Sequence, residues 1–148
     1  MRVLVDGDGC PDRDGIKEIC QRYQVDMIVF CDYAHMIEDD YFITMQCEVG
    51  HDNADHVLYD FAKEGDLAIT QDYGLASLLL MKKVDVLHTS GKPITTHNID
   101  NLLASRYMGQ KIRKANKHVK GPKKRTYKES ENLLLQVERW IVNHKDFT

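Results

Sequence analysis

The chain has no run of 18 apolar residues, and its N-terminus lacks a basic flank followed by an apolar stretch and a cleavage site. The first absence argues against a membrane-spanning helix and the second against a secretory signal, so a cytoplasmic protein with no membrane partner is expected. Only four cysteines occur (Cys10, Cys20, Cys31 and Cys47), separated by 9, 10 and 15 residues. That spacing matches neither a CxxC metal knuckle nor a secreted disulfide framework, and free thiols are expected, with Cys20, Cys31 and Cys47 as small core residues. Cys10, in an acidic turn with no paired His or Lys, reads as structural rather than nucleophilic. The histidines form no HExxH and no Cys/His zinc pattern. There is no internal repeat and no low-complexity linker.

What is present is enough chain for one domain: 148 residues, 43% of them hydrophobic, can bury a core without metal or disulfide staples. The net charge of −3 conceals a division. Residues 1–105 carry 19 Asp/Glu against 8 Lys/Arg, and residues 106–148 carry 4 against 12. An acidic body with a basic C-terminal part suits a metal-loaded site served by an arm that holds a polyanion; charge balance within one soluble fold is the simpler alternative.

The run RVLV (2–5), closed by the acidic turn VDGDGCP, predicts a buried first strand. Ile16, Ile19, Cys20 and Tyr23 then recur at helical spacing behind Pro11 and Asp12, both suited to a helix start. DMIVFC (26–31) and YFITMQCEV (41–49) have strand length and content. DNADHVLYDFAKEGD (52–66) sets Ala54, Val57, Leu58, Phe61 and Ala62 on one helical face, with Asp52 as cap and Gly65 as stop. LAIT (67–70) predicts a strand, the segment from Tyr73 to Lys83 a buried helix, VDVLH (84–88) a strand and NIDNLLASRYM (98–108) a helix capped by Asn98. This alternation predicts an α/β fold with a mostly parallel sheet flanked by helices. It divides into a core (1–109), a basic arm or loop (110–128) interrupted by Gly121-Pro122, and a C-terminal helix (129–148) docked through Leu133, Leu134, Val137, Trp140 and Ile141.

In an open α/β sheet the ligand crevice lies outside the carboxyl ends of the strands. Three acidic groups fall at strand ends or helix starts: Asp6 and Asp8, Asp52 and Asp55, and Asp72. Clustered carboxylates repel one another unless a cation joins them, and hard divalent ions take oxygen ligands, so this set predicts a Mg²⁺ or Mn²⁺ site. Such an ion activates water and neutralises charge at a phosphodiester. Each group has a plainer reading as an Asx turn or helix cap. Gly7 and Gly9 are read as permitting a tight backbone and close ligand approach.

The segments DGDGCP, DNADHVLYDFAKEGDLAITQDYGLASLLL and NIDNLLASR, with a GP in the following basic stretch, resemble the YaiI/YqxD family of uncharacterised bacterial proteins over most of the chain. That family is similar to PIN-like nuclease domains of the NYN branch. The resemblance implies a PIN-like fold and metal-dependent ribonuclease chemistry. It places catalytic carboxylates at Asp6, at Asp52 or Asp55, and at Asp72, with Thr70 supporting from the TQD turn and Asp8 and Asp100 as additions.

The basic segment offers Lys111, Arg113, Lys114, Lys117, Lys120, Lys123, Lys124 and Arg125 to phosphates, against the alternative of a solvated loop. Tyr73 could stack on a base or belong to the core, and His51 is a candidate substrate contact. The leading expectation is a divalent-metal-dependent nuclease acting on RNA or single-stranded nucleic acid, with Asp6, Asp52, Asp55 and Asp72 as its ligand set. The alternatives are a catalytically silent nucleic-acid-binding module and a phosphatase with Asp6 as nucleophile and Asp8 as acid/base. The phosphatase follows from the resemblance of DGDG to the DxD pattern of haloacid-dehalogenase-type enzymes, but the hydroxyl residues of a DxDxT continuation are missing.

Overall fold

The computed structural model of the protein describes residues 1–7, 12–32, 41, 43–47, 53–115 and 126–145. The order of elements is β1 (Arg2–Asp6), α1 (Arg13–Tyr23), β2 (Asp26–Asp32), β3 (Ile43–Cys47), α2 (Asn53–Phe61), β4 (Leu67–Ile69), α3 (Tyr73–Met81), β5 (Asp85–Leu87), β6 (Pro93–Ile94), α4 (Ile99–Ala115) and α5 (Tyr127–His144). The strands form one six-stranded sheet in the order β3-β2-β1-β4-β5-β6. Five are parallel, and β6 closes one edge antiparallel to β5. Among the described residues no helix is long and apolar enough to cross a membrane.

Side-chain alternation along the strands divides the core into two layers. Val3, Val5, Met27, Val29, Leu67 and Ile69 face α1 and α5, where they meet Ile16, Ile19, Cys20, Leu133, Val137, Trp140 and Ile141. Leu4, Ile28, Phe30, Ala68 and Val86 face the other way, onto Leu58 and Ala62, onto Leu75, Ala76 and Leu79 of α3, and onto Ile99 of α4. A fully buried side chain of this size contributes about 1.5–3 kcal/mol, so both faces of the central strands stabilise the parallel arrangement. Cys20 is a free thiol buried in the first of these layers, and Cys31 is buried as well.

Polar contacts fasten the layers. Asp66, just before β4, pairs with Arg2 at 2.6 Å, and the Arg2 guanidinium also lies 4.3 Å from the Phe61 ring centroid. The C-terminal helix α5 is tied to β5 through Trp140 Nε1, which donates to Asp85 Oδ2 at 2.8 Å. Asn132 of α5 donates to Ser90 O at 2.9 Å, bracing the loop after β5. Gly91 in that loop has φ +87°, and a Cβ there would meet Asn132 Nδ2 at 2.5 Å, so position 91 needs glycine on both counts.

Several boundaries differ from the sequence expectation. The second helix stops at Phe61, the third at Met81, and the strand expected over 41–49 is described over Ile43–Cys47. The pair β6 was not expected, and at two residues it is too short to show a period. The larger difference lies in the basic segment. Residues 110–115 continue α4 without a break, and α5 begins at Tyr127, so both ends of the expected loop are helical. Gln, Lys, Ile, Arg, Lys and Ala are acceptable or good helix formers, and their lack of acidic partners does not prevent continuation from a helix already nucleated.

Candidate functional site

The chain leaves β1 for β2 on one side, while β4 pairs with β1 on the other, which makes the gap between the carboxyl ends of β1 and β4 the topological switch point of the sheet. Leu4 is opposite Ala68 and Val5 opposite Ile69. Continuing that register by one step brings Asp6 against Thr70. The Thr70 hydroxyl donates to Asp6 Oδ2 at 3.0 Å and accepts from the Asp72 backbone N–H at 3.0 Å. One buried hydroxyl therefore joins two of the sequence-predicted carboxylate positions. Thr70 is fully buried and Asp6 is 8% exposed, so Asp6 presents only a small part of its carboxylate to the rim.

Asp72 also caps α3, its Oδ1 accepting from the Leu75 N–H at 3.1 Å. The plainer reading of Asp72 as a helix cap is thus correct for one of its oxygens. Gly7 lies next to Asp6, where a Cβ would come within 2.7 Å of Val29 Cγ1 and 3.0 Å of Phe30 O. Close packing against β2, rather than ligand approach, is what position 7 demands. The Gly7 carbonyl accepts from Arg13 Nη1 at 2.9 Å, which ties the end of β1 to the start of α1.

The remaining predicted residues divide by where they fall. Asp8, Cys10, His51, Asp52, Lys117, Lys120, Lys123, Lys124 and Arg125 lie outside the described residues. Asp55 is in the first turn of α2, and Arg113 and Lys114 are in the last turns of α4, with their side chains outside the described set. Asp100 is exposed in the first turn of α4. Among the described residues no group of three or more His, Cys, Asp or Glu side chains is placed to hold a metal ion. Asp6 and Asp72 are the described carboxylates at this rim, and carboxylate oxygen is the donor type that a hard divalent ion takes.

Further contributors were not singled out from the sequence. Arg106 of α4 lies over Tyr73, its guanidinium carbon 5.7 Å from the ring centroid, and His88 approaches the same ring at 5.6 Å. Tyr73 also packs against the core layer, so it is half-buried core with cationic and imidazole neighbours. Gln71 donates to Thr89 at 3.1 Å, linking the loops after β4 and β5. Further along α4, Lys111 Nζ is 5.5 Å from the centroid of Tyr107, which is 60% exposed. Beside Asp72, a cavity of about 390 Å³ opens between His56, Tyr59 and Asp60 of α2 and Leu75 and Leu78 of α3.

A model of the uncharacterised YaiI/YqxD family matches residues 4–143, which include both strand ends, the TQD turn and all of α4. The chain belongs to the YaiI/YqxD family. It is 39% identical over 146 residues to a UPF0178 protein of Alkaliphilus oremlandii, covering 99% of this chain and 92% of the relative. A UPF0178 protein of Natranaerobius thermophilus is likewise 39% identical, with 98% and 99% covered, and one of Exiguobacterium sibiricum is 36% identical, with 99% and 100% covered. No solved structure matches the chain. Membership of the YaiI/YqxD family agrees with the motifs that carried the resemblance, and the family carries no described activity.

Proposed function

We propose that this YaiI/YqxD protein is a divalent-metal-dependent nuclease acting on RNA or other single-stranded nucleic acid. The observation that carries the reading is the Thr70 hydroxyl joining the Asp6 carboxylate to the Asp72 backbone at the switch point of the sheet. Asp6 and Asp72 would hold Mg²⁺ or Mn²⁺, with Asp8, Asp52 and Asp55 completing the set. The ion, when bound, supplies an activated water and neutralises charge on the phosphodiester. The resemblance to PIN-like nuclease domains supports the same residues.

The chain's own groups have separable tasks in this reading. Thr70 holds the Asp6 carboxylate in one orientation, so that no rotamer search precedes ion binding. Arg106 and Lys111 place positive charge along α4, where it attracts the phosphates that the acidic rim alone would repel. The exposed Tyr107 offers a ring to bases, a sequence-tolerant contact that suits a single strand.

The test is cleavage of an end-labelled single-stranded RNA with Mn²⁺, comparing wild type with Asp72→Asn. Asparagine keeps the α3 cap, because it accepts from the helix N–H as well as aspartate does, so the variant removes charge without removing the turn. Loss of cleavage with retained RNA affinity supports the nuclease. RNA binding with no Mn²⁺-dependent cleavage by wild type identifies a silent binding module instead.

A further inference from the structure

The cavity beside Asp72 is concave, about 390 Å³, and lined among the described residues by His56, Tyr59, Asp60, Asp72, Gly74, Leu75 and Leu78, with no Lys or Arg. That volume falls within the range of small-molecule sites. With no cation bound, the Asp60 and Asp72 carboxylates disfavour an anion, and His56 and the Tyr59 hydroxyl are the side-chain donors of the lining. The Lys82 ammonium lies against the Tyr59 wall from outside the lining: its Nζ donates to Tyr59 O at 2.6 Å and sits 4.3 Å from the Tyr59 ring centroid. A nucleic acid held at the rim thus has one component that this cavity suits, a base.

Resting on the nuclease reading above, we propose that the cavity between α2 and α3 is a nucleobase subsite selective for bases with an exocyclic amino group. Tyr59, Leu75 and Leu78 provide the apolar walls for a flat ring. Asp60 and Asp72 carry only acceptors, so they reward a base that presents an amino donor. Cytosine offers N4–H₂, adenine N6–H₂ and guanine N2–H₂ beside N1–H. Uracil offers a single N3–H flanked by two carbonyl oxygens, which face the carboxylates as acceptor against acceptor. Leu78 is an apolar part of the lining and is 47% exposed.

The test measures fluorescence anisotropy of oligocytidylate and oligouridylate of about eight nucleotides, with EDTA present so that no strand is cut. Wild type should bind the cytidylate about tenfold more tightly. Asp60→Asn introduces an amide donor and should narrow that ratio by raising uridylate affinity, and Leu78→Trp, which fills the cavity from a solvent-exposed position, should bring the ratio near one. The variants separate a pocket effect from the stronger self-stacking of cytidylate, which they leave untouched. Equal wild-type affinities, absence of binding by either strand, or a ratio unchanged in both variants would overturn the subsite. A parallel assay of Mn²⁺-dependent cleavage keeps the two ideas apart. Cleavage with no base preference removes the subsite and leaves the nuclease, whereas a variant-sensitive preference without cleavage removes the nuclease and leaves the subsite.

Discussion

Thr70 donates its hydroxyl proton to Asp6 across 3.0 Å, between two residues 64 positions apart in the chain that the β1–β4 register brings side by side. The same oxygen accepts from the Asp72 N–H. Thr70→Val keeps shape and β propensity while removing both contacts at a fully buried position. It should destabilise the fold by about 1–3 kcal/mol, the cost of leaving buried polar groups unpaired, with Thr70→Ser largely restoring stability. Urea denaturation of the three proteins checks this, and an unaltered midpoint for the valine variant would show that the hydroxyl contributes nothing to the rim.

The charge along α4 yields a second expectation. If Arg106 touches phosphate, Arg106→Gln should lower affinity for single-stranded RNA and flatten the log–log salt dependence by about 0.7, the value per contact on a single strand. Replacing Lys123, Lys124 and Arg125 together by Gln should flatten it by about two if all three reach phosphate. Anisotropy titrations over a range of salt concentrations give both slopes. A full slope in the Arg106 variant would remove Arg106 from the phosphate contacts.

Alkaline pH supplies a third. Burial pushes the Cys20 thiol from 9.0 up to about 12. The unfolded chain therefore releases this proton first, so the stabilising effect is complete below pH 9.0 and is lost as pH rises towards 12. At about pH 10.5 the loss from Cys20 should be about 2 kcal/mol. Tyr41 is also raised from 10.0 by burial, and Tyr23 by its hydrogen bond to Glu138, so both add in the same direction at higher pH. Urea midpoints at pH 8 and about pH 10.5 should fall less for Cys20→Ala than for wild type; parallel falls would contradict the assignment.

Local patterns made much of the fold legible. The β1 run, the α1 spacing and the apolar face of α2 each declare themselves within a few residues, and Asp72 is recognisable as a cap from the helix behind it. The partnership of Asp6 with Thr70 is not local, because it depends on which strands are neighbours and on a one-residue register. Arg106 went unnoticed for the same reason: the Tyr73 ring it covers lies at the start of a different helix. The helical continuation through residues 110–115 was obscured by charge, since a run of basic residues reads as a solvated arm whether or not its backbone is helical. The cavity at Asp60 and Leu78 depends on how α2 and α3 sit together, which neither helix specifies alone.

The most direct test of the account is a calorimetric titration of Mn²⁺ into wild type and Asp6→Asn, with circular dichroism confirming that both are folded. Asparagine can still accept from the Thr70 hydroxyl, so the substitution isolates the carboxylate charge at the end of β1. The account predicts saturable Mn²⁺ binding by wild type and a loss of at least about tenfold in affinity for the variant. Equal binding by the two proteins, or no binding by wild type, would contradict a metal site at the junction of Asp6, Thr70 and Asp72.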